Sequence, residues 1–168
     1  MKPVTLAAKH FGSKGARCTL LPDAVSNGHW AIKREYIANA PLFATVDTAQ
    51  AAFPGLTVHD MPNGSFKAVS PSGTLRPWTV LPWSYENHNG TFRLLADEAG
   101  ELASINAKYL AIIGFEIGST LYGSSPRNPF IDAPTSEDAG AIFMPFRLPA
   151  LPVPPAPAEK PAEDAVPA

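Results

Sequence analysis

The stretch NAKYLAIIG, residues 106–114, carries the clearest helical pattern in the chain and decides the fold. Asn106 is a good capping residue for a first turn, and Gly114 can end the helix in a left-handed conformation. One face of this helix is apolar: Tyr109, Leu110 and Ile113. Three segments with strand character follow, at 115–122, 129–132 and 141–148. One helix followed by three strands indicates an α+β domain.

Upstream of this helix, turn signals recur about every ten residues, as in antiparallel hairpins. The runs between them predict strands: Leu56–Asp60, Ser65–Ser70, Leu75–Trp83, Thr91–Leu95 and Glu101–Ile105. A second short helix is predicted at 47–53, with Asp47 or Thr45 as its cap and Pro54 after its end. The predicted fold class is therefore α+β, an antiparallel sheet with two short helices on one face.

Length and composition allow one such domain. The chain has 168 residues, of which 45% are hydrophobic, and its 19 Pro and 12 Gly exclude long helices and coiled coils. We predict a domain at 1–148 and a disordered tail at 149–168, because the tail holds seven Pro and six Ala. A solubilising tail is the simpler interpretation, and a docking segment for a partner is the alternative.

The net charge of −2 is unevenly distributed. Residues 1–34 hold six basic groups and one acidic group, residues 94–148 hold three basic and seven acidic groups, and the tail is net −2. The first 148 residues are therefore neutral overall, which argues against strong non-specific DNA binding by one chain. Opposite charges at the two ends favour head-to-tail self-association.

No pattern for catalysis, metal or cofactor is present. Cys18 is a single cysteine, the four histidines form no ligand pair, and neither a phosphate loop nor a Gly-x-Ser-x-Gly elbow occurs. We therefore expect a non-enzymatic protein with no cofactor, no metal and no catalytic residues.

No apolar run approaches a membrane span and the first residues lack a signal-peptide core, so we expect a cytoplasmic protein without a membrane partner.

Three segments together resemble the bacterial DNA polymerase sliding clamp, the β subunit. Ser26–Ile32 resembles a central strand of the clamp that is preceded by Asp-Gly-His. Residues 105–110 resemble the start of the clamp's last helix. Residues 141–148 resemble its carboxyl-terminal Met-Pro-Met-Arg-Leu. In that family the first and last of these segments line an apolar pocket for short peptide motifs of the polymerase, the clamp loader and repair proteins. The resemblance implies a peptide-binding pocket at Gly28, His29, Trp30, Ala31, Met144, Pro145, Phe146 and Arg147.

The chain also departs from that family. A clamp chain has three domains and closes as a dimeric ring, whereas this chain has room for one, so a ring around DNA needs about six copies. Trp30 stands where the clamp has Arg, and a Pro/Ala tail follows where the clamp ends. We expect a reduced clamp-like protein of DNA replication, phage-encoded in view of its size and acting in a bacterial host cell. Its partners are then replication proteins with clamp-binding motifs, further copies of itself and, through a ring, DNA.

Two other functions fit the sequence. Arg76, Trp78 and Trp83, with Tyr85 beyond, lie on one Pro-containing strand and resemble a stacking platform for single-stranded nucleic acid. Alternation puts Trp78 and Val80 on the face opposite Trp83, so we expect one of the two tryptophans in the core. The second alternative is a phage virion or assembly component, which the fold alone does not distinguish.

Overall fold

The computed structural model describes residues 1–12 and 16–147 of the chain. Within them, ten strands form one sheet: β1 (Arg17–Leu20), β2 (Ala24–Ser26), β3 (Trp30–Lys33), β4 (Thr57–Asp60), β5 (Arg76–Asn87), β6 (Gly90–Ala96), β7 (Leu102–Asn106), β8 (Thr120–Gly123), β9 (Phe130–Ile131) and β10 (Ala141–Phe143). The helices are α1 (Val46–Ala52), α2 (Phe66–Val69) and α3 (Ala107–Ile112), with 3₁₀ turns at Ala8–Phe11, Arg34–Tyr36 and Ala40–Phe43. The fold class is α+β, as predicted.

The sheet has the strand order β4-β1-β2-β3-β10-β9-β8-β5-β6-β7. Neighbouring strands are antiparallel except β1 and β4, which are parallel. Each half of the chain contains a meander, β1-β2-β3 or β5-β6-β7, then a helix, then a strand that returns beside the first strand of that meander. Because β4 and β7 end the sheet, each has one edge without a strand neighbour among the described residues.

Alternating side chains give the sheet two apolar faces. On β3 and β10, Trp30 and Phe143 belong to the larger core, whereas Ala31 and Ile142 belong to a smaller core on the opposite face. Helices α1 and α3 cover the larger core with Ala49 and Leu110, which places both predicted helices on one face. Helix α2 covers the smaller core with Phe66.

Local capping signals predicted α1 and α3 correctly. The hydroxyl of Thr45 accepts a hydrogen bond from the Thr48 N–H at 3.1 Å at the start of α1. The side chain of Asn106 accepts from the Lys108 N–H at 2.9 Å at the start of α3. Gly114 follows α3 with φ +74°, the left-handed conformation that its sequence position predicts.

The predicted strand Ser65–Ser70 is wrong. The Ser65 hydroxyl instead caps a single helical turn by accepting from the Ala68 N–H at 3.0 Å, and Phe66 anchors that turn in the smaller core. Without that hairpin partner, the preceding run at 57–60 becomes β4 and pairs in parallel with β1, Cys18 opposite Val58. A pairing between strands so far apart in the chain leaves no local pattern in the sequence.

The last predicted strand, 141–148, is shorter than expected. β10 ends at Phe143, and the chain continues to the far edge of the sheet, where the Phe146 N–H donates to the Ser104 carbonyl at 2.8 Å. The Ser104 hydroxyl returns a hydrogen bond to the Phe146 carbonyl at 3.0 Å. The predicted tail at 149–168 lies outside the described residues. Among the residues that are described, none belongs to a helix with the length and apolar character needed to cross a membrane.

Candidate functional site

The β2–β3 turn presents His29 at the surface. The Asn27 side-chain oxygen accepts hydrogen bonds from the backbone N–H groups of His29 at 2.8 Å and Trp30 at 2.9 Å, and Asn27 itself is buried. Gly28 between them has φ +94°, a conformation that side chains with a Cβ rarely adopt. The Asn-Gly pair therefore fixes the turn and leaves the His29 ring exposed.

The segment after β10 closes against this turn. The Met144 N–H donates to the His29 carbonyl at 2.8 Å, and the Phe146 ring stacks on Phe92 with 3.9 Å between ring centroids. Together they enclose a cavity of about 250 Å³, which we call the anchor hollow. It is lined by His29, Asn89, Phe92, Asn106, Tyr109, Met144, Pro145 and Phe146. Met144 is 40% exposed, so this thioether is available to a ligand.

A second cavity of about 1040 Å³ lies on the other side of His29. Its wall comes from the first 3₁₀ turn, the start of β1, the β2–β3 turn and α3: Lys9, His10, Phe11, Gly12, Ala16, Arg17, Asn27, Gly28, His29, Asn106, Lys108, Tyr109, Ala111 and Ile112. No Asp or Glu occurs among the described residues of this wall, so we call it the basic cavity. Volumes of this order are typical of ligand sites in proteins.

His29 and Tyr109 form the partition between the two cavities. Their rings are nearly parallel, at 14°, with centroids 6.1 Å apart, and both residues line both cavities together with Asn106. Burial raises the pKa of the Tyr109 phenol, and the nearby Asn27 side chain works in the opposite direction. The phenol is therefore neutral at physiological pH, and the partition is a half-buried aromatic wall.

His10 lies in the wall of the basic cavity as a neutral imidazole. Its Nδ1 accepts a hydrogen bond from the Ala7 N–H at 2.9 Å, which requires that this nitrogen carries no proton. Burial, with a smaller contribution from the Lys9 charge, lowers the pKa of His10 below its usual value. His10 thus supplies shape and hydrogen bonding, and the exposed cations supply the positive charge.

The structure brings together most of the residues that the clamp resemblance implies for a pocket. Met144, Pro145 and Phe146 line the anchor hollow with His29, and Gly28 lines the basic cavity beside it. Residues on two segments more than a hundred positions apart therefore surround one opening.

Three of the implied pocket residues do not line the cavities. Trp30 is 2% exposed in the larger core, where its Nε1 donates to the His10 carbonyl at 3.2 Å. Ala31 is buried on the opposite face of the sheet because side chains alternate along β3. Arg147 is exposed beyond the end of the hollow.

One of the two tryptophans of the aromatic platform expected on β5 is not available to a stacked base. Trp78 is fully buried, as the alternation predicts for one of the two tryptophans, and its Nε1 donates to the Gly123 carbonyl at 3.1 Å. Trp83 is half-buried. A base needs an exposed ring face to stack on, and Trp78 offers none.

The cation of that platform is already paired. The Arg76 guanidinium forms ion pairs with Asp97 and Glu101, each at 2.7 Å, and also donates to the Ser124 carbonyl. The hydrogen bond from Arg76 lowers the pKa of Asp97. Arg76 and Asp97 therefore tie β5 to the β6–β7 turn and do not form a free basic surface.

Several lining residues carry no signal in the sequence that marks them as part of a site. Lys9, His10, Arg17 and Lys108 come from three elements distant in the chain, and only their positions in the fold unite them. The excess of basic residues in 1–34 was the one sequence signal for this surface, since it contains three of the four. Lys108 belongs to the predicted helix at 106–114, and no sequence motif there identifies it as a binding residue.

Across residues 1–12 and 16–147, no three His, Cys, Asp or Glu side chains are grouped as metal ligands. Burial raises the pKa of the Cys18 thiol to about 12, so this cysteine is not a nucleophile at neutral pH. The chain matches no family model, no curated protein and no solved structure.

Proposed function

We propose that this protein is a non-enzymatic, sliding-clamp-like binding protein of DNA replication. In this proposal the anchor hollow holds an apolar side chain of a short peptide motif from a replication protein. The observation that carries it is the hydrogen bond between Met144 and His29, because it joins the two segments that resemble the walls of the clamp's peptide pocket.

The chemistry of the anchor hollow suits such a ligand. Phe92, Met144 and Phe146 offer apolar surface, and an exposed Met adapts its shape to different side chains. Asn106 and His29 add polar groups at the edge, which can orient a peptide backbone. Arg147 lies close along the chain and can pair with a carboxylate of a longer peptide.

A labelled peptide with the clamp-binding segment of a bacterial replicative polymerase tests this proposal by fluorescence anisotropy. We expect saturable binding that Met144→Ala weakens about 10-fold, the loss of roughly 1.4 kcal/mol of apolar contact. Met61→Ala is the matched control, because Met61 is 48% exposed and lines neither cavity. Absence of binding, or equal losses in the two variants, contradicts the proposal.

Assembly into a ring around DNA is a second candidate function. It is supported by the sheet edge at β4 and by the basic start and acidic end of the folded part. Mass measurement in solution at low and high salt tests it. We expect a salt-sensitive oligomer, and a strict monomer at high micromolar concentration and low salt contradicts the ring.

A further inference from the structure

Three exposed cations surround the basic cavity. Lys9 belongs to the first 3₁₀ turn, Arg17 begins β1, and Lys108 lies in the first turn of α3. Within residues 1–12 and 16–147, the ion pairs are those of Arg76 with Asp97 and Glu101, so none of the three cations has a carboxylate partner there. The cavity therefore concentrates positive charge on a domain that is neutral overall.

The basic cavity adjoins the anchor hollow, and the two share His29, Asn106 and Tyr109 as walls. His29 and Tyr109 face both, so a ligand that crosses this partition places one part among cations and the next part against Met144 and Phe146. A ligand that fits both cavities has an apolar group next to negatively charged groups. Charges of opposite sign across an interface also accelerate association and fix the direction in which a peptide lies.

We propose that the basic cavity binds acidic residues that flank the apolar anchor of the partner peptide. This inference rests on the proposed peptide-binding function and adds the chemical class of the partner: a segment with Asp or Glu beside its apolar motif. Lys9, Arg17 and Lys108 pair with the carboxylates, while the half-buried Ile112 offers apolar surface to the aliphatic parts of the peptide.

A peptide fits this arrangement better than a nucleic acid does. Nucleic acids are held by phosphate contacts spread along a basic stripe, and the basic residues here border one concave cavity. The adjoining hollow is lined by Met144 and by Phe146, whose ring is already stacked on Phe92. An aliphatic side chain fills such a hollow, whereas a base requires an open aromatic face.

Anisotropy titrations of the full chain test the inference. The probes are the polymerase-derived peptide extended at either end by three Asp, and the same peptides extended by three Asn. We expect at least one Asp-extended peptide to bind about 10-fold more tightly than its Asn counterpart at about 50 mM NaCl, with most of this preference lost at about 500 mM. The triple variant Lys9→Gln, Arg17→Gln, Lys108→Gln is expected to abolish the preference, so that it binds the Asp peptide and its Asn counterpart with equal affinity.

A second triple variant controls for net charge. Lys2→Gln, Lys67→Gln and Arg127→Gln remove the same charge from exposed positions outside both cavities, and the preference for Asp is expected to persist.

Equal affinities for Asp and Asn peptides, or equal effects of the two triple variants, overturn the inference while the proposed function stands. Failure of all the peptides to bind overturns the proposed function as well. Binding of a single-stranded oligonucleotide that depends on the three cations, without any preference for Asp peptides, overturns the inference in favour of nucleic acid.

Discussion

The backbone N–H of Met144 donates a hydrogen bond to the carbonyl of His29 across 2.8 Å. This contact fastens the segment that follows the last strand to the turn between β2 and β3. It places Pro145 and Phe146 opposite Tyr109 and thereby creates the anchor hollow. The shape of the proposed binding site consequently depends on two short backbone segments and on the residues that fix them.

Gly28→Ala is expected to destabilise the protein by about 1 kcal/mol, because φ of +94° is strained for any residue with a Cβ. The new methyl group meets no atom within 4 Å, so the cost is conformational and not steric. Urea unfolding measures it. Gly55→Ala is the matched control, since its surroundings are equally open and its φ is not positive, and it is expected to leave stability unchanged or slightly raised. Equal effects at both positions contradict this account of the turn.

Phe146→Ala is expected to lower both stability and peptide affinity. It removes the stack of the half-buried Phe146 on the buried Phe92 and one wall of the anchor hollow, and an aromatic pair of this kind contributes about 1–2 kcal/mol. Phe146→Leu retains apolar volume and is expected to restore most of the affinity. Unfolding and peptide titration of the two variants measure these effects. Peptide affinity that is unchanged in Phe146→Ala would show that the ligand binds elsewhere.

The stability of the protein is expected to fall as the pH drops below the usual pKa of histidine. The pKa of His10 is lower in the folded protein than in the unfolded chain, so the unfolded chain takes up its proton first. The stability that neutral His10 provides is complete above pH 6.5 and is lost on acidification toward the folded pKa. Urea unfolding at about pH 7.5 and about pH 5.5 tests this. His10→Asn is expected to flatten the dependence, and a variant that keeps the full dependence contradicts this role of His10.

The ion pair of Arg76 with Asp97 is expected to stabilise the protein until the pH falls below 3.8, the usual pKa of Asp. Because the pKa of Asp97 is lowered in the folded state, the contribution is complete above that value and disappears as the pH falls through the folded pKa. Asp97→Asn should therefore be less stable than wild type at about pH 6 and closer to it at about pH 3. A difference that stays constant between these pH values argues against a role for the charge.

The sequence predicts those elements whose signals are local. Asn106 and Gly114 lie at the two ends of α3, and Thr45 caps the start of α1. These features depend on hydrogen bonds or backbone angles within a few residues, so a single sequence contains the information. The four-residue helix at Phe66–Val69 was missed because one turn has too few residues to show a helical period.

The pairing of distant segments and the residues that line the cavities were harder to predict from the sequence. The parallel pairing of β1 with β4 depends on how α1 crosses the sheet, and no local pattern records it. A β-bulge between Val80 and Ser84 interrupts the alternation along β5, and period-two counting does not anticipate such an irregularity. Gly28, His29 and the Met144–Phe146 segment were identified through a resemblance to a known family. The cations of the basic cavity could be assigned to one site only from the three-dimensional fold.

Backbone chemical-shift mapping by NMR tests the central claim most directly. The polymerase-derived peptide is added to the ¹⁵N-labelled protein, and the amide shifts are followed to saturation. The account predicts that the largest changes occur at His29, Tyr109, Met144 and Phe146, with residues around Phe66 on the opposite face unaffected. Saturable changes that cluster away from the anchor hollow, or no changes at all, would contradict it.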